Sequence, residues 1–138
     1  MHNTRYHKLC FSIATKFNSI LLLSCLILLL GCSRGNAPVN VDVAQQTLTS
    51  TLEFWKGGET PESVGEQKPA IIVQDVDWTN GAKLLDYEII DEGKPVDANL
   101  IAKVKLKLTG ADGKETQKTV TYVVGTSPVL TVFRDLMN

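Results

Sequence analysis

Ile71-Ile72-Val73-Gln74-Asp75-Val76-Asp77-Trp78-Thr79-Asn80-Gly81-Ala82-Lys83-Leu84-Leu85-Asp86-Tyr87-Glu88-Ile89 is the stretch on which the fold turns. On both sides of Asn80-Gly81, apolar and polar residues alternate, the period of a strand with one buried face. Asn-Gly accepts the positive φ angles that a two-residue hairpin turn requires. The spacing therefore predicts a hairpin of strands 70–78 and 83–91. Its register sets Val76 opposite Leu85, Gln74 opposite Tyr87, Ile72 opposite Ile89 and Asp75 across from Asp86.

Toward the C-terminus the same period predicts strands at 100–109, 115–125 and 129–134. Glu92-Gly93-Lys94-Pro95, Gly110-Ala111-Asp112-Gly113 and Thr126-Ser127-Pro128 break the chain between them. Connections this short make successive strands antiparallel neighbours. On that register Tyr87 and Leu85 lie beside Val104 and Leu106, and Ala102 lies opposite Tyr122. The other face carries Asp75, Asp86, Glu88, Lys103, Lys105 and Lys107, with Asp86 beside Lys105 and Glu88 beside Lys103 as opposite-charge pairs. A slip of one residue would bury these charges.

Upstream, Val41, Ala44, Leu48, Leu52 and Trp55 recur every three or four residues, one face of a helix. Asn40 or Asp42 can cap its start, and Gly57-Gly58 stops it. Thr60-Pro61-Glu62 has the form of an N-cap, an N1 proline and a first-turn acid, and predicts a short further helix to about residue 66. The expected fold class is α+β: one N-terminal helix packed on a curled, antiparallel, mostly meander sheet of about five strands.

The first third reads as a targeting segment. Residues 1–18 carry Arg5, Lys8 and Lys16 and no acid, and an apolar run from Ile20 to Leu30 ends at Gly31-Cys32. As a helix that run reaches only about 17 Å, short of a hydrocarbon core of roughly 30 Å. A basic start, a short apolar core and a small residue at the end describe a secretory signal peptide. Leu29-Leu30-Gly31-Cys32 resembles the lipobox of bacterial lipoproteins. The resemblance implies cleavage after Gly31 and acylation of Cys32 with a diacylglycerol and usually an amide-linked fatty acid, a palmitate-like anchor. The expected organisation is a removed signal peptide at 1–31, a lipidated Cys and tether at 32–40 (Ser33 to Asn40 is polar and broken by Gly35 and Pro38), and one domain at 41–138. The resemblance also implies a cell-envelope location facing the periplasm or the exterior. In a diderm host, Ser33 in place of Asp favours the outer membrane.

Cleavage would change the chemistry. The full chain has 138 residues, a net charge of -1, three Cys and two His. Loss of residues 1–31 removes His2, His7, Cys10, Cys25 and three basic side chains, leaving 11 basic against 15 acidic groups, a charge of -4. Such a charge does not suit a binder of nucleic acid. With no His and the remaining Cys acylated, Ser-His or Cys-His nucleophilic catalysis has no general base, and zinc would find only carboxylates.

Asp75-Val76-Asp77-Trp78-Thr79 superficially copies a calcium loop, but Asn80 stands where such a loop needs Gly and its flanks are strands. No cofactor or metal is expected. Gln74, Tyr87, Tyr122 and Thr131, with Trp55 and Trp78 nearby, form a candidate small-ligand pocket beneath the helix; the commoner role for such residues is satisfied core packing. Ile101, Val123, Leu130 and Val132 form a candidate apolar interface on the charged face, for a protein partner or a second copy. The helix-plus-sheet outline resembles the cystatin-like and NTF2-like group, and the resemblance allows the pairing through that surface common among NTF2-like domains. The resulting expectation is a non-enzymatic binding or interaction module held at a membrane surface. The alternatives are an NTF2-like cone with a ligand pocket or weak enzymatic activity, and a structural subunit of an envelope complex.

Overall fold

A computed structural model describes residues 37–110 and 112–137. The elements are α1 (Val41–Lys56), α2 (Pro61–Gly65), β1 (Ile71–Gln74), α3 (Val76–Thr79), β2 (Lys83–Ile89), β3 (Lys94–Val96), β4 (Asn99–Thr109), β5 (Glu115–Gly125) and β6 (Leu130–Asp135). They make an α+β fold with one mixed sheet in the order β1-β6-β5-β4-β2, and β3 also pairs with β4. The signal-peptide and lipobox residues, Cys32 included, lie outside the described residues.

The hairpin expected at Asn80-Gly81 does not form. Asp75 instead caps α3, its side chain accepting from the backbone N–H groups of Asp77 at 2.8 Å and Trp78 at 3.1 Å. Asn80-Gly81 ends that helix. Gly81 takes φ +83°, its N–H bonds to the Trp78 carbonyl at 2.9 Å, and the Ala82 N–H reaches back to Asp77 at 2.9 Å. This is the paired bonding of a Schellman stop, in which a left-handed residue lets the last carbonyls find donors. The dipeptide that suits a hairpin suits a helix end equally well, and here the helix also avoids setting Asp75 against Asp86.

The consequences reach across the sheet. β1 ends at Gln74 and pairs in parallel with β6, Ile71 beside Leu130 and Val73 beside Val132. The expected all-antiparallel meander is thus corrected to a mixed sheet, and β1 and β2 lie at opposite edges. β2 pairs with β4, and a bulge between Leu84 and Asp86 shifts its register, so that Asp86 meets Lys107 and Glu88 meets Lys105. Lys94 and Pro95, read from the sequence as a breaker, belong to β3. An edge strand tolerates Pro95, because a missing N–H there leaves no ladder bond unmade.

The β4–β5 pairing follows the expected register, with Ala102 opposite Tyr122. Leu100, Ala102, Val104, Leu106 and Leu108 of β4 are buried on one face with Val120, Tyr122 and Val124 of β5. Onto this face α1 packs Ala44, Leu48, Leu52 and Trp55. Asn40 caps α1 by accepting from the Val43 N–H at 3.1 Å. Thr60 and Ser63 form a reciprocal capping box on α2. One helix is not the whole cover, however, since α2 contributes Val64 and α3 contributes Trp78 to the core.

Two expected orientations are reversed. Leu130 and Val132 face inward, and Val132 is fully buried, because β6 enters one residue out of the expected parity and pairs Val132 with Val124. Gln74 faces outward and is exposed.

Candidate functional site

Trp55 and Trp78 come together from α1 and α3. Their rings stack with centroids 5.0 Å apart and planes 6° from parallel. Trp55 Nε1–H donates to the Ala82 carbonyl at 2.9 Å, and Trp78 Nε1–H to the Glu59 carbonyl at 2.9 Å. Each bond ties an indole to a loop flanking the pair. Both donors are used and the two residues are only 3% and 6% exposed, so the stack is a closed, apolar floor rather than an open face.

Above the pair lies an open groove of about 620 Å³, bounded by the last turn of α1, the 57–60 loop, the start of α2, the end of α3 and the start of β2. Pro61, Leu84 and Leu85 add apolar wall, while Lys56, Lys83, Glu59 and Glu62 stand around it. A groove of this volume lies in the range of small-molecule sites, roughly 300–1,000 Å³. Lys56 is held away from a free role by Asp86 at 2.9 Å and sits 5.8 Å from the Tyr87 ring centroid.

A second cluster fastens α3 to β5 and β6. Asp75 is buried and accepts from Tyr122 Oη–H at 2.7 Å. Arg134 Nη1 lies 3.6 Å from Asp75 Oδ1 and bonds to Asp77 Oδ2. Lys118 Nζ grips the same carboxylate at 2.8 and 2.9 Å. Partial burial alone would raise the Asp77 carboxyl, but the hydrogen bonds from Lys118 and Arg134 outweigh it and hold the group below the usual carboxylate range. Burial pushes the Tyr122 phenol upward, and the Asp75 charge pushes it further. Two acids answer two bases, so the cluster is neutral and closed on itself. Its chemistry is that of a clasp.

Of the residues expected to share a pocket, only Trp55 and Trp78 meet; Thr131 lies on the outer face with Ile72. Trp78 lines the groove, and Tyr122 is locked to Asp75 in the core. Tyr87, on the opposite edge from Gln74, donates its hydroxyl to Glu53 at 2.6 Å. Burial, helped by Glu53, raises the Tyr87 phenol to about 12. Trp55, expected near Trp78 beside the inward polar groups, does meet it there, and both border the groove. The calcium-like spacing dissolves as well: Asp75 is a helix cap, and Asp86 bonds to Lys56. Among the described residues, no three His, Cys, Asp or Glu gather into a metal-binding group.

Of the expected interface, Ile101 and Val123 do share the outer face, half-buried, paired with each other and with Phe133. Ile72 and Thr131 continue this face toward the β1 edge. No protein-family model matches the chain, nor does any curated protein or solved structure. No described helix is long and apolar enough to cross a membrane.

Proposed function

We propose that the protein is a small envelope lipoprotein, anchored through Cys32, whose domain acts as a non-enzymatic binding module. The groove over Trp55 and Trp78 is its binding site, and it takes an apolar or aromatic group of a ligand or partner chain. One observation carries this reading: the groove lies at the opposite end of the domain from the tether. The chain enters at Val39 and Asn40, whose N–H groups bond to the Asp97 carbonyl and Thr126 Oγ1 at 3.3 Å each, beside the start of β4. The groove sits where β2 begins, next to the end of β4. From Asn99 to Thr109, β4 spans about 33 Å at ~3.3 Å per residue. An anchored domain would hold such a groove away from the lipid and open to its surroundings. The likeness to the cystatin-like and NTF2-like group belongs to the same proposal, supported by a long helix lying along a sheet whose last strands form a meander.

The test is a photo-crosslinking residue at exposed Thr79, on the groove, compared with one at exposed Thr119 on the outer face, each in the lipoprotein within intact cells. The expected result is a discrete adduct from position 79, absent from 119 and lost when Leu85→Asp places a charge in the groove wall. Identical adduct patterns from 79 and 119 would overturn the groove assignment.

A further inference from the structure

The outer face of the sheet is graded from one end to the other. At the tether end, Val96, Asn99, Gly125, Thr131 and Ile72 form one row across the strands, and Ile101, Val123 and Phe133 form the centre of the next, between Lys94 and Gln74 at the two edges. Val96 is 42%, Ile72 46% and the adjoining loop residue Val129 48% exposed. Farther along, the same face turns polar: Lys103 with Thr121, Lys105 with Thr119, and Lys107 with Gln117. No described element covers the apolar end.

We infer that this apolar end is seated on the lipid surface and fixes how the domain stands on it. The inference rests on the Cys32 anchor proposed above. From Cys32 to Val39 the chain reaches at most about 25 Å, so an anchored domain keeps its tether end close to the bilayer. Val96 and Val129 border the Asp97 and Thr126 contacts through which the tether joins the domain. A second copy is a poorer occupant. The exposed apolar residues number well below the roughly 20–30 per side of a stable protein interface. Once the anchor has brought the domain to the surface, shallow insertion of Val96, Val129 and Ile72 needs little further affinity. The charges in and around this end, Lys94 beside Ile101 and Lys103 in the row of Thr121 and Asp135, with Asp97 after Val96, balance two against two, so the contact is apolar in character and insensitive to salt.

The experiment uses the acylated protein reconstituted in phosphatidylethanolamine–phosphatidylglycerol vesicles. A bimane label is placed on Val129→Cys at the tether end or on Asp112→Cys in the turn between β4 and β5. Lipids brominated high on the acyl chain act as the quencher. The seating predicts at least twofold quenching at position 129 and none at 112, unchanged from 50 to 500 mM salt. In a third protein, labelled through Val96→Cys, the added Val129→Asp should reduce quenching while the protein still floats with vesicles. Equal quenching at 129 and 112, no quenching at either in protein that floats, or crosslinking of 129 to a second copy would each overturn the seating and leave the anchor standing. Failure of the unsubstituted protein to float would overturn the anchor and the seating together.

Discussion

Replacing Asp75 by Ala separates the helix-cap structure from the hairpin that the local pattern suggests. Asp75 is 2% exposed and accepts from Asp77 N, Trp78 N and Tyr122 Oη. Loss of an N-cap side chain costs about 1 kcal/mol. A buried tyrosine hydroxyl left without its acceptor costs about 1–3 kcal/mol more. Arg134 keeps its bond to Asp77, so its contribution is largely retained. The expected loss is about 2–4 kcal/mol, a large part of the roughly 5–15 kcal/mol available to such a domain. At about 4–8 °C per kcal/mol for a domain of this size, the melting point should fall by roughly 8–32 °C. The assay is urea and thermal unfolding of the protein, followed by near-ultraviolet circular dichroism of the stacked tryptophans. Asp75→Asn, which keeps a capping oxygen, should lose less than Asp75→Ala. A cycle with Tyr122→Phe should show a coupling of about 1 kcal/mol or more. A loss under about 0.5 kcal/mol, as expected for a solvated residue on a strand face, would refute the cap and clasp.

Three further outcomes follow from the same geometry. Asp77 has its folded pKa depressed by Lys118 and Arg134, so its contribution is present above the unfolded value of about 3.9 and is lost as pH falls through the folded one. Asp77→Asn should therefore be clearly less stable than wild type at pH 7, and the gap should narrow as pH falls below about 4; a constant gap in melts from pH 7 to pH 2.5 would contradict the pairing. Tyr87 and Tyr122, the two tyrosines of residues 37–138, are both raised, so their contribution is present below the unfolded value of about 10 and is lost as pH rises through the folded values. In protein cut to residues 37–138, tyrosinate absorbance near 295 nm should accordingly stay small at pH 11 while the fold persists, and a titration centred near 10 in folded protein would count against both environments. Gly93→Ala should cost about 1–3 kcal/mol, because Gly93 has φ +80° and a Cβ there would lie 2.9 Å from Leu100 Cγ. Gly81→Ala, also at positive φ but with nothing within 4 Å, should lose only the conformational part, and equal losses in denaturant melts would tell against the Leu100 contact.

What the sequence displayed and what it hid have a common cause. The α1 stripe from Ala44 to Trp55, the Thr60-Pro61 helix start and the β4–β5 register are local or strictly periodic, and each is set by burial of a single face. The path from Gln74 to Lys83 is neither. Asp75, Asn80 and Gly81 have side-chain and φ preferences common to a hairpin and to a capped helical turn. The choice is made by partners far away in the chain, Tyr122, Lys118 and Arg134, which no local window contains. The Asp75-x-x-Trp78 spacing, an N-cap with Asp77 in the first turn, was the available signal for α3. The inward turn of Leu130 and Val132 likewise depends on the parallel pairing with β1, a non-local event. Trp55 was legible as a core residue. Its stacking on Trp78 was not, because it requires the α3 crossing that the hairpin reading removes.

The account depends most on the anchor, since both the outward-facing groove and the seated apolar end take their meaning from it. Intact-mass and N-terminal analysis of the protein extracted from membranes of the producing cell tests this directly. The account predicts a chain beginning at Cys32, heavier than its polypeptide by a diacylglycerol with or without a further acyl group, and released from membranes by Cys32→Ser. A chain that retains residues 1–31, or one beginning at an unmodified Cys32, would contradict it.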